Sequence, residues 1–420
     1  MTYKTIDEAN EAVIQKVIES QPFLLDVVPA KDVISELNDK ALLHSGPSIA
    51  WEDMNDPMQG SCVGAVLFEG WASNEEEARK QLAGGEIKFI SAHSVNAVGP
   101  MGGITSANFP VVVVENKASG RYGYCNLNEG IGAVLRFGAY NEEVLNRLKW
   151  MKDVLGPALS KALKQIEGGM NVNVLVAKAI TMGDEFHQRN IAASALFLKE
   201  IVPYLITAGL SDKELQEVTK FLADTDQFFL NIMMASAKSV MDSALDVGEG
   251  SIVTHLARNG HMFGIKVSGL GDQWFTAPVN TPDGLYFTGY SSADACPDMG
   301  DSAITEAYGV GGMAMIAAPG VTRFVGTGGF SDAINTSDEM REICIANNPN
   351  LSIPTWDFQG ACLGIDLRKV VETGITPVIN TGIANKVAGK GQIGAGTVRV
   401  PLGCFEQAIE ALAKKYGVEA

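Results

Sequence analysis

The sequence predicts a mixed α/β fold in which two α/β domains are separated by a mainly helical domain. Three observations carry this. Short β-branched runs such as "IKFISAH" and "FPVVVVEN" stand among helical patterns over residues 1–140. Residues 141–247 show helical apolar spacing almost throughout. From 248 to 420 strand-like runs return, interleaved with glycine-rich stretches. A chain of 420 residues is long enough for two or three domains and a large core.

The elements follow in order. "TIDEANEAVIQKVIES" is an amphipathic helix with Thr5 as N-cap and acids in its first turn. The two β-branched runs flank a glycine-rich connection, "VGPMGGITSA". "NEEVLNRLKWMKDVLGPALSKALKQI" is a helix capped by Asn141. "VNVLVAKAITM" fits a helix or a buried strand. The next helix is expected to begin inside "MGDEFHQRN", near Asp184, and to stop before Pro203. Ser211 and Glu214 form a capping box. "QFFLNIMMASAKSVMDSAL" is apolar on most faces and predicts a buried helix. In the last region "MFGIKVSG", "LYFTGY", "VTRFVG" and "ITPVIN" read as strands, with "GLGD", "GVGG", "GTGGF" and "GKGQIGAG" as loops. "CFEQAIEALAKKYG" makes a terminal helix whose basic end suits the helix dipole.

Composition excludes several classes. A net charge of −17 argues against nucleic acid, because phosphate contacts need a basic surface. No apolar run approaches the roughly 20 residues of a membrane span, and the start lacks a signal-peptide pattern. The expected compartment is the cytoplasm, with the six scattered cysteines reduced and no CxxC site. GxSxG and HExxH are both missing. "GKGQIG" spells a dinucleotide fingerprint but lacks the strand before it and the helix after it.

The densest polar cluster is "MGDEFHQRN". A helix start needs one cap, yet this stretch holds six polar residues. On a helix from Asp184, that acid, His187 and Asn190 face the apolar stripe, with Asp184 placed to orient the imidazole. Glu185 and Arg189 then pair at i,i+4 on another face. A helical Arg189 points away from His187, so the two line one pocket only if the helix starts later or domains meet around it. Further candidates are spread along the chain. His93 ends a strand beside "GPMGG", a reasonable catalytic position. Asp298 and Asp301 lie with Ser302 in "SADACPDMGDSAI", where Asp301 or Ser302 can cap the next helix, a helix start can bind an anion, or the acids can hold Mg²⁺. Gly328 and Gly329 can form a backbone nest, and Lys390 stands among glycines where a phosphate or carboxylate can meet it.

Several long strings together resemble one family: "HSVNAVGPMGGITSANFPV", "LNEGIGAVLRFGAYNEEVLNRLKWM", "MGDEFHQRN", "VSGLGDQWFTAP", "SADACPDMGDSAI" and "GITPVINTGIANKVAGKGQIGAG". The chain resembles the YlbE/YahG-like proteins, the group that includes the AllG subunit. The resemblance runs from near residue 40 almost to the C-terminus. It implies two α/β domains with a helical domain between. It also implies membership of a multi-subunit oxamate carbamoyltransferase of anaerobic allantoin breakdown, with FdrA-type and YlbF-like partners and with self-association. The implied reaction moves a carbamoyl group between oxalurate and phosphate, giving oxamate and carbamoyl phosphate. The resemblance carries over no catalytic residue, and no resident cofactor is expected beyond the Mg²⁺ that the acids can hold. The working site for that chemistry is His187 as acid, base or carbonyl polariser, Asp184 to orient it, and Arg189 or Arg136 for an anion. The loops around Gly328, Gly329 and Lys390 would hold phosphate. A scaffolding subunit and a metal-dependent ureide hydrolase using Asp184, His187 and the 294–301 acids are the alternatives.

Overall fold

The computed structural model describes residues 2–130 and 132–417. Its architecture is mixed α/β, as the sequence predicts. A five-stranded sheet is built in the order Ala97–Val98, Arg121–Asn126, Pro110–Asn116, Pro22–Pro29, Met170–Asn171. A four-stranded sheet runs Phe275–Pro278, Met262–Val267, Val253–Asn259, Met299–Gly300. A three-stranded sheet runs Asp283–Tyr286, Gln392–Arg399, Val378–Ala384. One continuous apolar core joins all three stretches of the chain, from Val13 through Phe197 to Leu412.

The organising element is the helix Phe228–Leu245. It packs on strands Pro110–Asn116 and Arg121–Asn126 of the first sheet, and on the helices Ile6–Ile18 and Ile304–Tyr308. Covered from several directions, it is buried from Phe228 to Ala244 apart from Leu230, which explains why its sequence has no polar face. Helix and sheet approach closely at Gly123. A Cβ there would stand 2.0 Å from the Ala235 carbonyl oxygen.

Capping chemistry is where the sequence predicts it. The side chains of Thr5, Asn141 and Ser211 accept from Glu8, Val144 and Glu214 backbone N–H groups. "VNVLVAKAITM" resolves as the helix Val172–Thr181. The helix capped by Asn141 carries a wide π turn at Met151–Leu155, just before Pro157. The missing proline N–H and the bulk of its ring make that widening favourable.

Four expectations about elements need correction. The helix after "MGDEFHQRN" begins at Ile191, not near Asp184, and runs through Pro203 to Thr207. Pro203 and Lys199 are both exposed, so the carbonyl that loses its donor meets water. "VTRFVG" falls in the helix Pro319–Phe324, where Pro319 suits a first turn. Neither Asp301 nor Ser302 caps the following helix through its side chain, and that helix is only Ile304–Tyr308. "GKGQIGAG" is a hairpin turn leading into the strand Gln392–Arg399. Its last two glycines, Gly394 and Gly396, lie against the neighbouring strand: a Cβ on Gly394 would stand 2.3 Å from the Leu285 carbonyl oxygen.

Gly123→Ala is expected to lower the denaturant midpoint clearly, by about 1–3 kcal/mol of stability. Gly320→Ala, where an added Cβ meets nothing within 4 Å, should leave it unchanged or raise it. Equal midpoints for the two variants would contradict the tight helix–sheet contact.

Candidate functional site

The polar cluster Asp184–Asn190 is a folded loop between the helices Val172–Thr181 and Ile191–Thr207. Its residues do separate jobs. Asp184 Oδ2 accepts the Ala193 N–H at 2.7 Å, capping the second helix from outside. Glu185 is fully buried, and its Oε1 accepts from the backbone N–H groups of His187, Gln188 and Arg189 at 3.1, 2.5 and 2.7 Å. The turn closes through Phe186 N–H to the Arg189 carbonyl, with buried Phe186 at φ 70°. A left-handed phenylalanine costs on the order of 1–3 kcal/mol and persists only where packing fixes it.

This loop presents His187. Its Nδ1 lies 2.7 and 2.9 Å from the two carboxylate oxygens of Glu306. Glu306, buried on the short helix Ile304–Tyr308, also accepts from Thr305 Oγ1 at 2.9 Å, Gly312 N–H at 2.9 Å and Asn380 N–H at 3.1 Å. The neighbouring Gly311 sits at φ 64°, and a Cβ there would come within 2.2 Å of Glu306 Oε1. A carboxylate against Nδ1 fixes the tautomer, so neutral His187 carries its proton on Nδ1 and a lone pair on Nε2. No protein group among the described residues bonds Nε2.

His187 lines a cleft of about 80 Å³ where the three stretches of the chain meet. The first contributes Pro100, Met101, Asn128, Arg136 and Phe137. The second contributes His187, Gln188, Gln227 and Leu230, and the third Ser302, Gly382 and Gln392. Arg136 is held by Nη2 to the Gly130 carbonyl at 3.0 Å. Its Nη1 is buried without a hydrogen-bond partner, 3.9 Å from Glu129. Burial pulls the guanidinium below its ordinary value, Glu129 opposes this, and Arg147 adds to it. Glu129 is itself pushed up by burial, with Arg136 opposing.

The structure therefore gathers His187, Arg136 and Ser302, and puts Asn190 directly behind them. Asn190 Nδ2 donates to Gln227 Oε1 at 2.9 Å, and that glutamine donates back to the Gln188 carbonyl. Other candidates lie elsewhere. Asp184 does not orient His187; its Oδ1 faces Arg189 at 3.5 Å. The Glu185–Arg189 pair does not form, because the loop turns Glu185 inward, where its Oε2 accepts from Asn380 Nδ2 at 2.9 Å. Arg189 is part-exposed and outside the cleft lining. His93 is buried, 3.2 Å from Asp301 and edge-on to Trp274. Asp301 accepts from Gly46 and Gly99 N–H, fixing the base of the "GPMGG" loop. Asp298 binds buried Arg258 at 2.7 Å. These acids thus point to separate partners, and no described group of three His, Cys, Asp or Glu residues is arranged to hold a metal ion. The Gly329 N–H is taken by Asp332 at 2.7 Å, and neither Gly328 nor Gly329 lines the cleft. Lys390 is exposed on the hairpin turn two residues before Gln392. Sequence reasoning missed Glu306, Gln188, Gln227 and Gln392. For Glu306 a signal existed: it is the one acid in the apolar, Gly/Ala-rich run 303–321.

Comparison with known proteins bears on this cleft. Residues 87–302 match the family described as oxamate carbamoyltransferase subunit AllG. The chain belongs to the AllG family. The oxamate carbamoyltransferase subunit AllG of Escherichia coli (strain K12) is 60% identical over 417 residues, covering 99% of this chain and 100% of that protein. The uncharacterized protein YahG of the same strain is 43% identical over 413 residues, covering 98% of this chain and 87% of its own. A crystal structure of a conserved protein of unknown function from Enterococcus faecalis V583 superposes with a TM-score of 0.96 at 43% identity, covering 99% of each chain. Cleft residues Pro100 to His187 and Ser302 fall inside the family match; Gly382 and Gln392 lie beyond it.

Two outcomes follow from the geometry. Glu306→Gln is expected to cost about 1–3 kcal/mol in denaturant unfolding, because a buried amide then faces donors. It should also shift the His187 imidazole nitrogen signals in NMR; an unchanged pair of signals would refute the Glu306 contact. Burial raises the Asp184 pKa from 3.8 to about 6, against the pull of the Ala193 N–H. Over that interval the folded chain holds a proton that the unfolded chain has lost, so this group's contribution falls as pH rises from about 4 to about 6 and is level above. Denaturation of Asp184→Asn beside the parent should show the difference moving in the variant's favour across that window. A pH-independent difference would count against it.

Proposed function

We propose that this chain is a subunit of an oxamate carbamoyltransferase-type enzyme of anaerobic allantoin breakdown. It moves a carbamoyl group between oxalurate and phosphate and works in the cytoplasm with FdrA-like and YlbF-like partners. Family membership supports the reaction class. The single observation that carries the reading to a site is that His187 and Arg136 line one cleft and that neither His187 Nε2 nor Arg136 Nη1 has a hydrogen-bond partner among the described residues.

The chemistry suits those groups. A phosphate oxygen attacks the carbamoyl carbon of oxalurate, and the bond from that carbon to the oxamate nitrogen breaks. The proton released from phosphate goes to the departing nitrogen. His187, set on Glu306, is placed to carry it, taking it on Nε2 and returning it. Negative charge builds on the carbonyl oxygen in between, and hydrogen-bond donors in the cleft stabilise it. The Gln188 carboxamide is the donor at hand, and Arg136 is placed to hold the carboxylate of the ureide. No step calls on Mg²⁺ or another cofactor.

The test is reconstitution with both partner proteins and an assay of oxalurate phosphorolysis. Arg136→Ala and His187→Ala are each expected to lower turnover by about 10²-fold or more while the subunits still co-elute. Full activity in both variants would remove the cleft as the site. Lost assembly with unchanged turnover per complex would favour a scaffolding subunit instead.

A further inference from the structure

We propose that the cleft receives only the ureide or oxamate partner of the reaction, and that phosphate is held by cations from another subunit, so the active site is complete only at a subunit interface. This rests on the carbamoyltransferase reading above and names what this chain binds within it.

Capacity is the first ground. The cleft is small, about 80 Å³, and a ligand that reaches His187, Arg136 and Ser302 together spans it. Charge is the second. Among the described residues lining the cleft, Arg136 is the one Lys or Arg side chain. Glu129, 3.9 Å away, already offsets part of its charge. A carboxylate needs one cation; a phosphate and a carboxylate together bring at least two negative charges into one site. The chain as a whole carries −17, so its field does not draw phosphate in. Lys390, exposed beyond the cleft, is one cation at most.

Hydrogen-bond character is the third ground, and it selects the ligand. The groups left free are a mixture. Arg136 Nη1 donates. The Gln188 carboxamide offers an NH₂ donor and an oxygen acceptor, with no side-chain partner among the described residues. Gln392 spends Nε2 on the Gly394 carbonyl at 2.9 Å, leaving Oε1 as an acceptor. Ser302 accepts from Arg258 at 3.1 Å and keeps its hydroxyl proton to donate. His187 presents a lone pair. A phosphate dianion brings several acceptor oxygens and a single O–H, so Gln392 Oε1 would face its oxygens without benefit. A ureide or an oxamate carries a carboxylate, carbonyls and N–H groups, and satisfies both kinds. Its carboxylate pairs with Arg136 and its N–H groups with the glutamine oxygens.

Titration calorimetry on the full chain without partners tests this with oxamate, oxalurate and inorganic phosphate as probes. Oxamate and oxalurate are expected to bind, and Arg136→Ala to weaken them by about tenfold or more. Gln188→Ala, whose side chain bonds nothing else among the described residues, should also weaken them and serves if Arg136→Ala misfolds. Phosphate is expected to bind only the reconstituted complex. Phosphate binding to the chain alone in competition with oxamate overturns the proposal. So does oxalurate phosphorolysis by the chain alone, or an active complex whose isolated chain binds neither oxamate nor oxalurate. A complex with no phosphorolysis at all would instead remove the carbamoyltransferase reading beneath it.

Discussion

One buried carboxylate ties the site together. Glu306 accepts from the His187 ring, the Thr305 hydroxyl and the backbone N–H groups of Gly312 and Asn380. Burying an ionised carboxylate is costly unless hydrogen bonds replace its water. The donors come from the 184–190 loop, the short helix at 304–308, the turn after it and the strand Val378–Ala384. Two of these segments, the loop through His187 and Gln188 and the strand through Gly382, also border the cleft, so satisfying Glu306 helps to shape it. Gly311 belongs to the same constraint, since any side chain there would occupy the place of the carboxylate.

A second carboxylate lies beside the first. Glu185 and Glu306 share Asn380, whose side chain donates to one and whose backbone N–H donates to the other. Burial raises Glu185, His187 and Asn380 pull it back, and Glu306 pushes it up again. The strained Phe186 belongs to this arrangement, because the turn through it aims three N–H groups at Glu185. Local strain is accepted where it holds a charged group and a ring in register. The long buried helix supplies the rigid backing: Gln227 and Leu230, at and near its N-terminal end, form part of the cleft wall.

Local rules were legible in the sequence. Thr5, Asn141 and Ser211 cap their helices because capping involves residues three apart. The apolarity of 228–245 on most faces announced burial, and the polar density of 182–190 marked the segment that carries His187 to the cleft. What failed was geometry imposed from a distance. Nothing within 182–190 says that Glu185 finds Asn380, 195 residues away, and so a loop replaces the expected first helical turns. Asp184 was assigned to His187 by helical spacing, whereas the ring's partner is Glu306, 119 residues on.

By itself the sequence determined the family, the mixed α/β class, the caps at Thr5, Asn141 and Ser211, and three members of the cleft: His187, Arg136 and Ser302. Those are properties of composition, short spacing and residue type. Only the tertiary structure decided which acid holds His187, that Asp298, Asp301 and His93 serve the interior, and that glutamine carboxamides line the cleft. A buried polar group takes whichever partner the packed chain brings within about 3 Å, and that partner is chosen by topology rather than by neighbours along the chain.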